Sequence, residues 1–214
     1  MRYLIVCGGK TDKEFGLNEI KTDGIDAIIA ADSGMDFLYE NGVTPDIIVG
    51  DFDSATTKAL EFFERKGQTE IHRLNPIKDD TDTEYAIRLA IREGARSIVL
   101  LGATGSRIDH VLGNISLLGI GLESGTDISI IDTNNRIRMA DRPVTIEKSA
   151  QYGRFVSLIA VTDDNEVSLK GFKYPVTDYS FDRFTSLGIS NEIVDDQAVV
   201  DIHRGKFIII ESKD

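Results

Sequence analysis

Residues 46–53 read DIIVGDFD, and the fold turns on how that stretch is read. Ile47, Ile48 and Val49 are apolar without alternation, which is how a strand covered on both faces reads. Gly50 then breaks the run, and Asp51 and Asp53 follow it two residues apart. An extended backbone sends alternate side chains to the same face, so these two carboxylates point together at the end of a buried strand. Like charges so placed repel unless water or a cation lies between them. The pair is either solvated turn chemistry or a metal site.

Apolar runs of the same kind recur on either side, at Tyr3–Cys7, Ala27–Ala31, Glu70–Leu74, Ser97–Leu101 and Ile128–Ile131, with Asp46–Val49 third in order. Between them lie Ser33–Asn41, Thr56–Lys66, Thr81–Glu93 and Asp109–Glu123, each with apolar residues at helical spacing and a glycine near its end. Strands apolar on both faces, alternating with helices, predict an α/β fold with a mainly parallel sheet flanked by helices. The texture changes after about residue 140. Short runs at Val144–Lys148, Phe155–Val161, Glu166–Phe172, Gln197–His203 and Phe207–Glu211 are divided by glycine and Asp-Asp-Asn turns, the pattern of a small C-terminal antiparallel β-sandwich domain. Two domains are expected, 1–138 and 139–214, joined near residues 135–142.

The chain has 214 residues, 41% hydrophobic and 28% charged, as an ordinary globular protein has. With 36 acidic and 24 basic residues its net charge is −12. That field repels nucleic acid and anionic membranes, so neither is an expected partner. A small anionic substrate stays possible if a cation offsets the field locally. The single cysteine, Cys7, reads as a small buried hydrophobe and excludes disulfides and cysteine zinc clusters. The opening MRYLIVCGGK is too short in its apolar part for a signal peptide, and no run reaches membrane-span length. A cytoplasmic location is expected, which leaves the glycosylation triplet Asn114-Ile-Ser116 without a role.

Ligands of open α/β sheets bind beyond the carboxyl ends of the strands. Four successive strand ends here deliver carboxylates: Ala31-Asp32-Ser33-Gly34, Gly50-Asp51-Phe52-Asp53, the Asn75–Asp82 stretch with Lys78, Asp79 and Asp80, and Gly102-Ala-Thr-Gly-Ser-Arg-Ile-Asp-His110. Taken singly, Asp80 and Asp82 can open a helix at Thr81, and Asp109 or Asp32-Ser33 can cap one. Together they suit Mg²⁺, which takes carboxylate oxygens and leaves positions for water and phosphate. The glycines, Thr104, Ser106 and the Arg107 fork suit phosphate oxygens. His110 lies in the same crevice, whereas His72 and His203 fall in strands and read as structural.

Two other motifs fail. Gly9-Lys10-Thr11 ends like a phosphate-binding P-loop, but Leu4 stands where that loop needs glycine. Asp51-Phe-Asp53-Ser-Ala55 resembles the haloacid-dehalogenase-like phosphatases, yet Ala55 replaces their Thr or Val and the motif follows the wrong strand.

Gly50-Asp-Phe-Asp-Ser54, Asp79-Asp-Thr-Asp82 and Gly105-Ser-Arg-Ile-Asp-His110, in this order, resemble the thiamine pyrophosphokinase family, as do Thr44-Pro45-Asp46, Ala31–Gly34 and Ser190-Asn191-Glu192. The resemblance spans nearly the whole chain. It implies ATP + thiamine → AMP + thiamine diphosphate with Mg²⁺, on a homodimer whose active sites lie at the subunit interface. Carried onto this chain, it implies Mg²⁺ at Asp51, Asp53, Asp79 and Asp82, with Arg107 and Asp109 joining Asp51, Asp53 and Asp82 in catalysis. Asp32, Lys78, Thr81, Thr104, Gly105, Ser106, Arg107 and His110 become the expected ATP contacts. Tyr174, Ser190 and Asn191 become the thiamine contacts, Tyr174 in a position where the family often has Trp. This chain has no Trp, and Tyr also offers a face to a cationic thiazolium. The competing readings are a Mg²⁺-dependent phosphatase or other nucleotide-dependent phosphotransferase, and a non-catalytic nucleotide- or thiamine-sensing module.

Overall fold

The computed structural model describes residues 1–52, 57–75 and 80–214, in two compact units, Met1–Thr133 and Asn134–Asp214. The first unit carries β1 (Arg2–Val6), β2 (Ala27–Ala31), β3 (Ile47–Gly50), β4 (Glu70–Arg73), β5 (Ser97–Leu101) and β6 (Asp127–Ile131). They hydrogen-bond in the order β6-β5-β1-β2-β3-β4, every neighbouring pair parallel. The expected parallel sheet is there, and its inner strands are buried on both faces: Leu4, Ile5, Val6, Ile29, Ile48 and Val49 are each no more than 1% exposed.

Helices α1 (Lys13–Ile20), α2 (Gly34–Glu40), α3 (Thr57–Lys66), α4 (Asp82–Arg92) and α5 (Ile108–Ser124) follow β1 to β5 in turn. Leu4, Val6, Ala30 and Ile48 share one core with Met35 and Leu38 of α2 and Phe63 of α3, whereas α4 packs on β1, β2 and β3. Four helices lie close to their expected bounds. The fifth, α1, was not expected: it contains Gly16, and its plainest signal is Asp12, whose side chain accepts from Phe15 N at 2.9 Å as a helix cap.

The second unit is a sandwich of two antiparallel sheets. One holds β7 (Asn135–Ala140), β9 (Phe155–Ala160), β12 (Asn191–Glu192) and β14 (Phe207–Ser212), in the order β12-β9-β14-β7. The other holds β8 (Val144–Glu147), β10 (Glu166–Lys170), β11 (Val176–Ser180) and β13 (Gln197–Arg204), in the order β11-β10-β13-β8. Val156, Leu158, Phe207 and Ile209 of the first meet Val167, Leu169, Val200 and Ile202 of the second in one core. β11 and β12 were not expected, and β7 occupies most of the stretch read as a junction.

Two polar devices interrupt that sandwich. Glu211 is fully buried, and its charge is met by the Arg136 fork at 2.9 and 2.7 Å, by Arg138 at 2.8 Å and by Tyr152 N at 2.9 Å, the pairing a buried carboxylate requires. Ser168, 2% exposed, sits where the register of β10 against β11 shifts, while it stays paired with Asp201 of β13. Its hydroxyl donates to Asp178 Oδ1 at 3.1 Å, accepts from Asp178 N at 2.9 Å and lies 2.9 Å from His203 Nε2. Both Asp178 and Ser168 meet the same ring nitrogen, so the three form a structural clasp and not a proton relay of the hydrolase kind.

Candidate active site

The strand order reverses at β1. Successive strands β2, β3 and β4 build outward on one side of it, and β5 and β6 on the other. An open parallel sheet parts its loops at such a point, so a crevice forms beyond the carboxyl ends of β1 and β5. The crevice here is lined by Gly8–Lys10 after β1, Asp32 and Ser33 after β2, Gly102–Arg107 after β5, and the starts of α4 and α5. Its floor is tight because two glycine turns touch. Gly9 N donates to Gly102 O at 2.9 Å, and a Cβ on Gly9 would lie 2.3 Å from that oxygen. Gly102 itself has φ +69°, a conformation that favours glycine.

One oxygen from each of Asp32, Asp51 and Asp82 lies within 4.8 Å of the others, and all three residues are half-buried. Each is delivered by a strand end or a helix start. Asp32 N donates to Val49 O at 2.8 Å, which draws the end of β2 onto β3, and φ at Asp32 is +48°. Gly50 admits this approach, since a Cβ there would lie 3.2 Å from Asp32 Cα and 3.1 Å from the Phe52 ring. Asp82 opens α4, whose cap is the preceding Thr81, with its hydroxyl accepting from Glu84 N at 3.2 Å. Thr83 of the same turn donates to Cys7 Sγ at 3.7 Å. Burial pushes the Cys7 thiol up to about 11, so it is an inert thiol beneath the crevice. Three oxygen donors so close together are the donor set a hard divalent cation such as Mg²⁺ takes.

On the other side of the crevice the Gly102–Ser106 turn leads into α5. Thr104 Oγ1 donates to Asp132 Oδ2 at 2.8 Å, and Asn114 Nδ2 donates to Ala103 O at 2.7 Å. Gly105, Ser106, Arg107, Asp109 and His110 are exposed. Arg107 meets the Asp109 carboxylate through Nη2 at 2.6 Å and Nε at 3.3 Å. The hydrogen bond from this guanidinium holds the Asp109 carboxyl down to about 2, and the pairing raises Arg107 above its ordinary value.

Of the residues singled out from sequence, Asp32, Thr81, Asp82, Thr104, Gly105, Ser106, Arg107, Asp109 and His110 all line this crevice. Asp51 joins them through the carboxylate cluster. Asp53, Lys78 and Asp79 lie outside the described residues. Asp32, expected beside ATP, sits among the carboxylates. Lys10, Asn114 and Asp132 were not expected at the crevice or its supports; Lys10 belonged to a motif set aside on sequence grounds. Tyr174, Ser190 and Asn191 lie in the second unit, where Tyr174 is 62% exposed, Ser190 has φ +60° and Asn191 is 7% exposed. Among the described residues no helix is long and apolar enough to cross a membrane.

Comparison with known proteins accounts for both units. Residues 21–130 match the family model for the thiamin pyrophosphokinase catalytic domain, and residues 143–207 match that for the thiamin pyrophosphokinase vitamin B1 binding domain. The thiamine pyrophosphokinase of Bacillus subtilis is 35% identical over 188 residues, which covers 87% of each chain. A solved structure of thiamine pyrophosphokinase from Bacillus subtilis is similar over 100% of both chains, with a TM-score of 0.89 and 31% identity. One from Geobacillus thermodenitrificans has a TM-score of 0.86 at 29% identity, covering 100% of this chain and 98% of the other. A carboxylate cluster and a glycine turn facing one crevice, in a chain matched along almost its whole length, leave one conclusion: this chain belongs to the thiamin pyrophosphokinase family.

Proposed function

We propose that the chain is a thiamine diphosphokinase that transfers the pyrophosphoryl group of ATP to the hydroxyl of thiamine, giving thiamine diphosphate and AMP. In this reaction the hydroxyl oxygen bonds to the β-phosphorus, the bond from that phosphorus to the α–β bridging oxygen breaks, and AMP leaves. The observation that carries the reading is the convergence of Asp32, Asp51 and Asp82 beside the Gly102–Ser106 turn, in a chain of this family. The phosphatase and sensor readings are not favoured, because catalytic and vitamin-binding family models both match the one chain.

In this reading Asp32, Asp51 and Asp82, with Asp53 and Asp79, hold Mg²⁺. The ion, when bound, neutralises phosphate charge and orients the reacting groups. The turn at Thr104, Gly105 and Ser106 receives phosphate, joined by Lys78, Thr81, Arg107 and His110. Because the Thr104 hydroxyl already donates to Asp132, its part is to shape the turn. Asp109 stays ionised beside Arg107, which suits it to orient the thiamine hydroxyl and makes it a weak acceptor for the hydroxyl proton. Phosphoryl-type transfer is mostly positioning and charge neutralisation, so no strong base is needed.

The division of labour assigns nucleotide and Mg²⁺ to residues 1–138 and thiamine to 139–214, with Tyr174, Ser190 and Asn191 as thiamine contacts. The working form is a cytoplasmic homodimer with active sites at the subunit interface. Support for association comes from Phe184, Leu187 and Ile189, apolar side chains of one loop that are 89%, 61% and 48% exposed. Incubation with ATP, Mg²⁺ and thiamine, followed by separation of nucleotides and thiamine esters, tests the function. AMP and thiamine diphosphate in equal amounts are expected; ADP or inorganic phosphate in their place would overturn it. Light scattering at micromolar concentration tests the dimer.

A further inference from the structure

In sequence Asn114 is notable only as the first residue of a glycosylation triplet. In the structure it sits in the second turn of α5, on the face that also brings His110 and Leu117 to the crevice. Helical side chains lean toward the N-terminus of their helix, so Asn114 reaches back to the turn that feeds α5. There its Nδ2 donates to Ala103 O at 2.7 Å. Ala103 is 2% exposed, which leaves little water to take the donor's place.

This bond is the middle one of three. Gly102 O accepts from Gly9 N at 2.9 Å, Ala103 O accepts from Asn114, and Thr104 Oγ1 donates to Asp132 Oδ2 at 2.8 Å. Three consecutive residues of the turn are thus tied to three different elements: the segment after β1, helix α5 and the residue that follows β6. The turn needs such ties because Gly102 at φ +69° and Gly105 have many backbone alternatives.

We propose that Asn114 is a positioning residue for the nucleotide, its side-chain amide holding the Ala103 carbonyl so that the Gly102–Ser106 turn keeps the shape that receives the triphosphate. The proposal rests on the reading of this crevice as the ATP site. A turn released from Asn114 must be ordered when the nucleotide binds, and that cost appears as weaker binding. It does not appear in the handling of thiamine, which contacts neither Asn114 nor the turn in this reading.

The test compares wild type with Asn114→Ala and Asn114→Leu. Leucine keeps about the same volume but offers no donor. Each protein is titrated with α,β-methylene-ATP and Mg²⁺ in the absence of thiamine, and kinetic constants for both substrates are then measured. Both variants should bind the analogue roughly tenfold more weakly, the effect of one lost hydrogen bond. KM for ATP should rise to match, while KM for thiamine stays near wild type and the thermal midpoint falls by only a few degrees, the cost of the Ala103 carbonyl left unpaired. If the leucine variant binds the analogue as wild type does, Asn114 only fills space and the proposal is overturned. Equal losses for ATP and thiamine, tracking a lowered thermal midpoint, would overturn it as well. Should the leucine variant not fold, Asn114→Asp carries the same expectation, since it has the same size and no donor when ionised. No binding of the analogue by the wild type would overturn the reading of the crevice, and the proposal with it.

Discussion

Asn191 and Tyr174 hold each other through a two-way exchange: Tyr174 N donates to Asn191 Oδ1 at 3.1 Å, and Asn191 Nδ2 donates to Tyr174 O at 3.0 Å. The amide thus acts as one more rung of backbone, joining the start of β12 to the segment before β11. Asn191 is buried at 7%, whereas the Tyr174 ring stays 62% exposed with Lys173 Nζ 5.7 Å from its centre. Asn191 is therefore framework for the residue beside it, whatever it also contacts.

Asn191→Ala leaves the Tyr174 N–H and carbonyl without these partners and should lower unfolding stability by about 1–3 kcal/mol. Tyr174→Ala should leave stability unchanged and raise KM for thiamine, by up to about 2 kcal/mol of lost cation–π contact. Urea unfolding beside thiamine kinetics separates the two. Wild-type stability in Asn191→Ala would show that the exchange supports nothing.

The carboxylate cluster predicts opposite effects on activity and on metal-free stability. Asp32→Asn and Asp51→Asn should each lower turnover by about 100-fold or more, the scale of losing metal-assisted charge neutralisation. Asn also tolerates the positive φ at position 32. In EDTA, where the carboxylates of the wild type repel one another, the same variants should melt at or above the wild-type temperature. Near-normal turnover in both variants at saturating Mg²⁺ would remove the cluster from catalysis.

Arg107 and Asp109 give a pH signature. Asp109 should titrate near 2, below its ordinary range, because Arg107 hydrogen-bonds its charged form. A carboxyl lowered in the folded state stabilises the fold above its unfolded pKa of about 3.9 and loses that contribution as pH falls through its folded value. The window is therefore between about pH 4 and pH 2, and the effect is screened by salt since both groups are exposed. Carbon-detected NMR titration should show the midpoint rising toward the ordinary value in Arg107→Met. Arg107→Lys keeps the charge but loses the fork, so kcat/KM for ATP should fall there too. A wild-type midpoint near 4 would mean the pair does not persist in solution.

Cys7 should resist thiol reagents. It is 3% exposed, and burial pushes its thiol up to about 11, so little thiolate forms at neutral pH. Ellman's reagent should label the native chain slowly, then one thiol per chain in guanidinium. Rapid stoichiometric labelling of the native protein would contradict that burial.

The sequence by itself determined the layered α/β unit and the sandwich that follows, because burial on two faces or one is written into the local period of apolar residues. Ile47–Val49 and Ser97–Leu101 could hardly be read otherwise. It also marked the chemistry-bearing turns, since glycine beside acid at the end of an apolar strand is a local signal. α1 escaped because Gly16 sits inside it and a single Asp12 cap marks its start. β11 escaped because its exposed residues become a strand only by pairing with β10, and β12 because two residues carry no period.

Partnership was decided by tertiary structure alone. Asp32 joins Asp51 and Asp82 because parallel register brings the ends of β2 and β3 level and ties Asp32 N to Val49 O. The Thr104 hydroxyl is spent on Asp132, and Asn114 acquires the Ala103 carbonyl, because β5, β6 and α5 meet at one edge of the sheet. A residue's burial follows from its near neighbours in sequence, but which atom it meets across a crevice depends on strand order and register, and those are settled only when the sheet is assembled.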